Sequence, residues 1–80
     1  MKINPYLVQS RYNLGKAFTE LGNLDLAIEH SNEALRIDNN CDEAHINLGN
    51  ILAKWGENGE AINHFREALR INPYSFKERI

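Results

Sequence analysis

Eighty residues, 42% of them hydrophobic and 25% charged, make one small domain of ordinary globular composition, which excludes a disordered chain. A net charge of -2 with a pI near 5.9 is a poor match to phosphate backbones, which are bound by clustered Lys and Arg, so nucleic acid is not an expected partner. No apolar run approaches the roughly 18 residues of a membrane span, and the opening MKINPYLVQSRYN lacks the apolar core of a signal peptide, so the expected setting is cytoplasmic and off the membrane.

The first helix is predicted from Pro5 to about Leu21. Asn4 can cap it, and Pro5 suits the first helical position because its missing N–H costs nothing there. Leu7, Leu14, Phe18 and Leu21 form its apolar stripe. Gly15 inside a helix costs about 1 kcal/mol relative to Ala, so it needs a packing reason, and close approach of the partner helix supplies one. Gly22 ends the helix, and Asn23 caps a second one from Leu24 to about Ile37. A two-residue turn forces the two helices antiparallel, with Leu24, Ala27, Ile28, Ala34 and Leu35 facing back onto the first.

After the polar break Asp38-Asn39-Asn40, Asp42 and Glu43 place acid in the first turn of a third helix, where the helix dipole favours it. That helix is expected to end at Trp55, with a stripe of Ala44, Leu48, Ile51, Leu52 and Trp55 before Gly56. A fourth runs from about Asn58 to Ile71. Its start is expected to be the loosest part of residues 42–75, because Asn58 replaces an apolar residue and Gly59 sits in the first turn.

These four helices are two copies of one unit. NLGKAFTELGNLDLAIEHSNEALRI, from Asn13 to Ile37, recurs 34 residues later as NLGNILAKWGENGEAINHFREALRI. Laid over 42–75 without a gap, residues 8–41 give twelve identities, among them Leu14/Leu48, Gly15/Gly49, Gly22/Gly56, Ala27/Ala61, Ala34/Ala68 and Leu35/Leu69. A 34-residue period with these landmarks resembles the tetratricopeptide repeat. The second copy keeps the landmarks throughout, with Phe65 and Asn72-Pro73 in place. The first has Ser31 where the family prefers an aromatic and Asn39 where it prefers Pro. The resemblance implies an all-α fold of helix-turn-helix repeats stacked as a short right-handed solenoid. It forms a single domain over 1–80, with repeat 1 at about 8–41, repeat 2 at about 42–75 and terminal fragments at 1–7 and 76–80.

On a helix, Gln9, Tyr12, Asn13, Lys16, Thr19 and Glu20 fall opposite Leu14, and Glu43, Ile46, Asn47, Asn50, Ala53 and Lys54 are the matching set one repeat on. First helices line the concave side of a tetratricopeptide superhelix, so the resemblance makes these residues the walls of a peptide-binding groove. Asn13 and Asn47 are the leading candidates within it, because an amide offers both donor and acceptor and holds an extended backbone whatever its side chains. Some members of the family present such an asparagine ladder just before the Leu-Gly pair, as here. Another groove of the family clamps a terminal carboxylate with Lys, Asn and Arg. Asn47 and Lys77 fit its later places, but Tyr12 and Lys16 stand where the first Lys and Asn would be, so no clamp is expected. Tyr12 and Ile46 instead favour a neutral or mildly hydrophobic segment.

No catalytic set stands out, so the chain is not expected to be an enzyme. His30 and His64 lie one repeat apart, roughly 10 Å, too far to share a Zn whose ligand bonds are near 2.1 Å. Arg11 and His45 take a place often occupied by Trp in the family, where packing of an amphipathic stem is expected. Cys41, the sole cysteine, has no basic neighbour in sequence to stabilise a thiolate. No metal or cofactor is expected. The expected function is a protein-protein interaction scaffold, since stacking creates both a core and a concave surface. The alternative is self-association through exposed repeat ends, with Tyr6, Leu7 and Val8 at one end and Tyr74, Phe76 and Ile80 at the other.

Overall fold

A computed structural model describes residues 3–75. The expectations resting on Phe76, Lys77 and Ile80, and on the fragment 76–80 as a whole, lie outside the described residues. Four helices follow in order: α1 Pro5–Leu21, α2 Leu24–Ile37, α3 Asp42–Lys54 and α4 Asn58–Ile71, with no strand among the described residues. They pack as two antiparallel hairpins, α1 with α2 and α3 with α4, joined along the α2·α3 seam and by α1 against α3. The fold is the all-α helix-turn-helix solenoid.

Local chemistry sets the helix ends. The Asn4 side chain accepts from the backbone N–H groups of Tyr6 at 3.0 Å and Leu7 at 3.4 Å, and Pro5 opens the helix. Gly22 and Gly56 both stand at φ +82°, the left-handed conformation that a side chain disfavours. Each turn then closes by a backbone bond, Asn23 N–H to the Phe18 carbonyl at 2.9 Å and Glu57 N–H to the Leu52 carbonyl at 2.8 Å. The third helix stops one residue before its expected end, and Trp55 is its exposed cap. Neither Cys41 nor Glu57 caps its helix with a side chain, and 57–60 at the start of α4 are all exposed.

Burial corrects the expected stripe on α1. Its buried residues are Val8 and Gly15, with Tyr12 and Phe18 half-buried, whereas Leu7, Leu14 and Leu21 are exposed. The reason is that α1 packs on α2 and on α3, and the three leucines lie on a side that neither helix covers. The expected face of α2 is likewise divided. Ala27, Ser31 and Ala34 are its buried residues, while Leu24, Ile28 and Leu35 pack on the cluster formed by Ala27, Leu48 and Ile51 across the seam. A second cluster, Val8, Ala34, Cys41 and Ala44, closes the other end of the core, with Tyr12, Leu35 and Ile37 against it.

The two glycines inside helices are packing glycines. A Cβ on Gly15 would stand 2.3 Å from the Ser31 hydroxyl and 3.3 Å from the Ala27 carbonyl oxygen. A Cβ on Gly49 would stand 2.5 Å from the Phe65 ring. In each hairpin the backbone of the first helix therefore rests on position 31 or 65 of the second.

Candidate functional site

The first helices of the two repeats lie side by side and enclose a groove. One hollow of about 590 Å³ is lined by Gln9, Tyr12, Asn13 and Lys16 from α1 and by Glu43, Ile46, Asn47 and Asn50 from α3. A second of about 440 Å³ adjoins it, lined by Lys16, Thr19, Glu20, Asn47, Asn50 and Lys54. Lys16, Asn47 and Asn50 border both, so ten of the twelve residues expected to wall the groove meet along one continuous concave surface. Thr19 joins them, but its hydroxyl already donates to the Gly15 carbonyl at 2.7 Å. Ala53 borders neither hollow.

The two asparagines of the ladder differ. Asn47 is 7% exposed, and its Nδ2 donates to the Tyr12 backbone carbonyl at 2.8 Å. That bond joins the two repeats across 35 residues and occupies one of the two N–H donors of the amide. Asn13 and Asn50 are exposed, and neither makes a side-chain hydrogen bond among the described residues.

Charge is graded along the groove. At the end where α3 begins, the Asp42 and Glu43 carboxyls share a hydrogen bond. Burial opposes the charge on Asp42, yet hydrogen bonds from Glu43, Ser75 and Asn72 outweigh it and hold its carboxyl below the usual range. Glu43 moves the other way: partial desolvation of its carboxyl, and then the bond shared with Asp42, raise it, although the residue as a whole is exposed. Burial and the neighbouring Glu43 push the Tyr12 phenol up as well. Lys16 and Lys54 supply positive charge toward the opposite end, beside Glu20.

Outside both hollows lies a pairing not foreseen from sequence. Arg11 Nη1 lies 3.2 Å from His30 Nδ1, and His45 Nδ1 lies 3.1 Å from His64 Nδ1. These are equivalent pairs, first helix to second, in the two repeats. The equal 19-residue separation was visible in sequence, but nothing local marks two polar rings as partners. His30 also stacks on Phe18, with centroids 5.5 Å apart. No group of three or more metal-ligating side chains occurs among the described residues. Cys41 is buried, and desolvation pushes its thiol up to about 11, the opposite of an activated nucleophile. No helix among the described residues is long and apolar enough to cross a membrane.

A comparison with curated proteins gives no match. Two family profiles do match: one described as TPR repeat over residues 15–56, and one described as Tetratricopeptide repeat over residues 42–75. The second coincides with the repeat bounds read from the 34-residue period, and the first spans more than half of the chain. With the hairpins, the paired glycine turns and the packing glycines in the places that period predicts, the chain belongs to the tetratricopeptide repeat family, whose repeats mediate protein-protein interaction.

Proposed function

We propose that this module is a binding scaffold, not an enzyme, that holds an extended peptide segment of a cytoplasmic partner protein in the groove between α1 and α3. One observation carries the reading: the groove contains two amides, Asn13 and Asn50, with no partner among the described residues, flanked by the apolar surfaces of Tyr12 and Ile46. Free amides offer a peptide backbone both a donor and an acceptor. From Gln9 to Glu20 the groove is roughly 16 Å long at the helical rise of 1.5 Å per residue, room for about five extended residues. Asn47 supports this surface from below, as a bracket between repeats. Glu43 at one end and Lys16 with Lys54 toward the other orient a segment whose positive residues lie at the Glu43 end.

Peptides selected from a random library on the purified chain test the proposal. Selected peptides are expected to lose binding to Asn13→Ala and to Lys16→Glu, and to keep it on an Ile62→Ser variant, which alters a face remote from the groove. Binders indifferent to both groove changes would place the partner surface elsewhere.

A further inference from the structure

The seam between the two repeats shows how a helix face is covered in this protein, and both outer ends carry the same face uncovered. Along α3 and its two caps the heptad-spaced stripe is Cys41, Ala44, Leu48, Ile51 and Trp55, and its first four members are buried. One repeat earlier, on α1, the stripe is Leu7, Ser10, Leu14, Ala17 and Leu21, and all five are exposed. Leu48 is 6% exposed under α2, while Leu14 at the same position is 40% exposed. The covering half of the seam is repeated as well. Ile28 and Leu35 of α2 are half-buried against the Leu48 and Ile51 cluster, whereas their equivalents on α4, Ile62 and Leu69, are 49% and 43% exposed.

We propose that the exposed face of α1 receives the exposed face of α4 from a second copy of this chain, so that copies stack head to tail. The contact continues an interface the molecule already contains. Leu14 and Ala17 would meet Ile62 and Leu69 as Leu48 and Ile51 meet Ile28 and Leu35. A back-to-back pairing of two α1 faces covers the leucines but leaves Ile62 and Leu69 in water; head-to-tail stacking covers both. Such a contact is heterologous, and each added copy leaves one face of each kind open, so the product grows with concentration instead of stopping at a dimer.

The chain also contains a competitor for this site. Asn72 accepts from the Tyr74 N–H at 3.0 Å as Asn4 does from the Tyr6 N–H at 3.0 Å, so Pro73–Ser75 begin along the path that Pro5–Leu7 of an incoming copy would take. The Ser75 hydroxyl holds that segment, lying 2.7 Å from Asp42 Oδ2 and 3.3 Å from the Ala68 carbonyl oxygen. Stacking has to dislodge it, which keeps association weak until Ser75 is released.

Sedimentation of the full chain from micromolar to millimolar concentration tests the proposal, with helicity checked by circular dichroism. The mean mass is expected to rise past that of a dimer. Leu14→Lys and Leu69→Lys should each stay monomeric alone, since each spoils one face, yet form a one-to-one pair when mixed, since each keeps the other face. Ser75→Ala should associate at lower concentration than the unaltered chain. If Leu14→Lys loses helicity, Leu14→Gln replaces it in the same mixture. A chain that remains monomeric throughout overturns the proposal, as does a Leu69→Lys variant that dimerises alone or a mixture that does not pair. An unchanged Ser75→Ala removes the competing role of that segment.

Discussion

The Asn47 side chain donates to the backbone carbonyl of Tyr12 at 2.8 Å, so the first helix of one repeat is tied directly to the first helix of the next. The bond is partly buried and runs from a side chain to a backbone carbonyl oxygen within α1. It separates two asparagines that occupy the same repeat position.

Asn47→Ala is therefore expected to destabilise the fold by about 1–2 kcal/mol, a fall of roughly 5–10 °C in melting temperature for a chain of this size. Asn13→Ala, at an exposed site without an intramolecular partner, should shift stability by no more than ~0.5 kcal/mol. Thermal denaturation of the two variants side by side checks this. Equal losses would mean that the inter-repeat bond contributes nothing net.

Gly49→Ala is expected to lower stability. The added methyl would lie within 2.8 Å of three atoms of the Phe65 ring, and the ring must shift as a unit. Overpacking of this kind costs about 1–3 kcal/mol, which exceeds the ~1 kcal/mol gained in helix propensity. Urea titration gives the sign directly, and an increase in stability would show that the ring moves aside freely.

Ser31 is fully buried, and its hydroxyl has no hydrogen-bond partner among the described residues. Ser31→Ala should stabilise the chain, on the order of 1 kcal/mol, by removing an unsatisfied polar group. The same hydroxyl is what a Cβ on Gly15 would strike at 2.3 Å. Gly15→Ala should accordingly cost less in the Ser31→Ala background, with a coupling above ~0.5 kcal/mol in a double-mutant cycle. Strict additivity would place the obstruction at the Asn47 amide, 3.2 Å away, or at the Ala27 carbonyl, 3.3 Å away, instead.

His64 connects stability to pH. Desolvation first, and then the neighbouring His45 on α3, lower its pKa against the opposing pull of Glu60 on α4. A base with a depressed folded pKa contributes stability that is fully present above its unfolded value of about 6.5 and lost as pH falls through the lower folded value. Melting temperature should thus drop from pH 7 to pH 5 more in the unaltered chain than in His64→Gln. Parallel curves for the two would show that the histidine pair is not the source.

Helix existence and bounds were legible in the residues because the signals that end a helix are local. Asn4-Pro5, the two left-handed glycines and Asn23 act within a few residues of themselves, so each boundary stands within one residue of its expected place. The groove was legible for a related reason: residues at helical spacing opposite the core point the same way wherever the helix is packed. The packing glycines could be recognised because a helix breaker at the same place in both repeats has to be offset by close contact.

Only the tertiary structure decided which face of each helix is covered, and by what. A helix in a stacked repeat carries two apolar stripes, one for its own hairpin partner and one for the adjoining repeat, and the sequence writes both in the same hydrophobic residues. Leu14 and Leu48 are identical in type and register, yet one is open and the other closed, because a preceding second helix lies over Leu48 and none among the described residues lies over Leu14. The same absence leaves Asn13 unbonded where Asn47 is tied to Tyr12. The pairing of His45 with His64 was settled the same way, since contact between side chains 19 residues apart depends on how two helices are rotated about their axes, and no local sequence signal specifies that rotation.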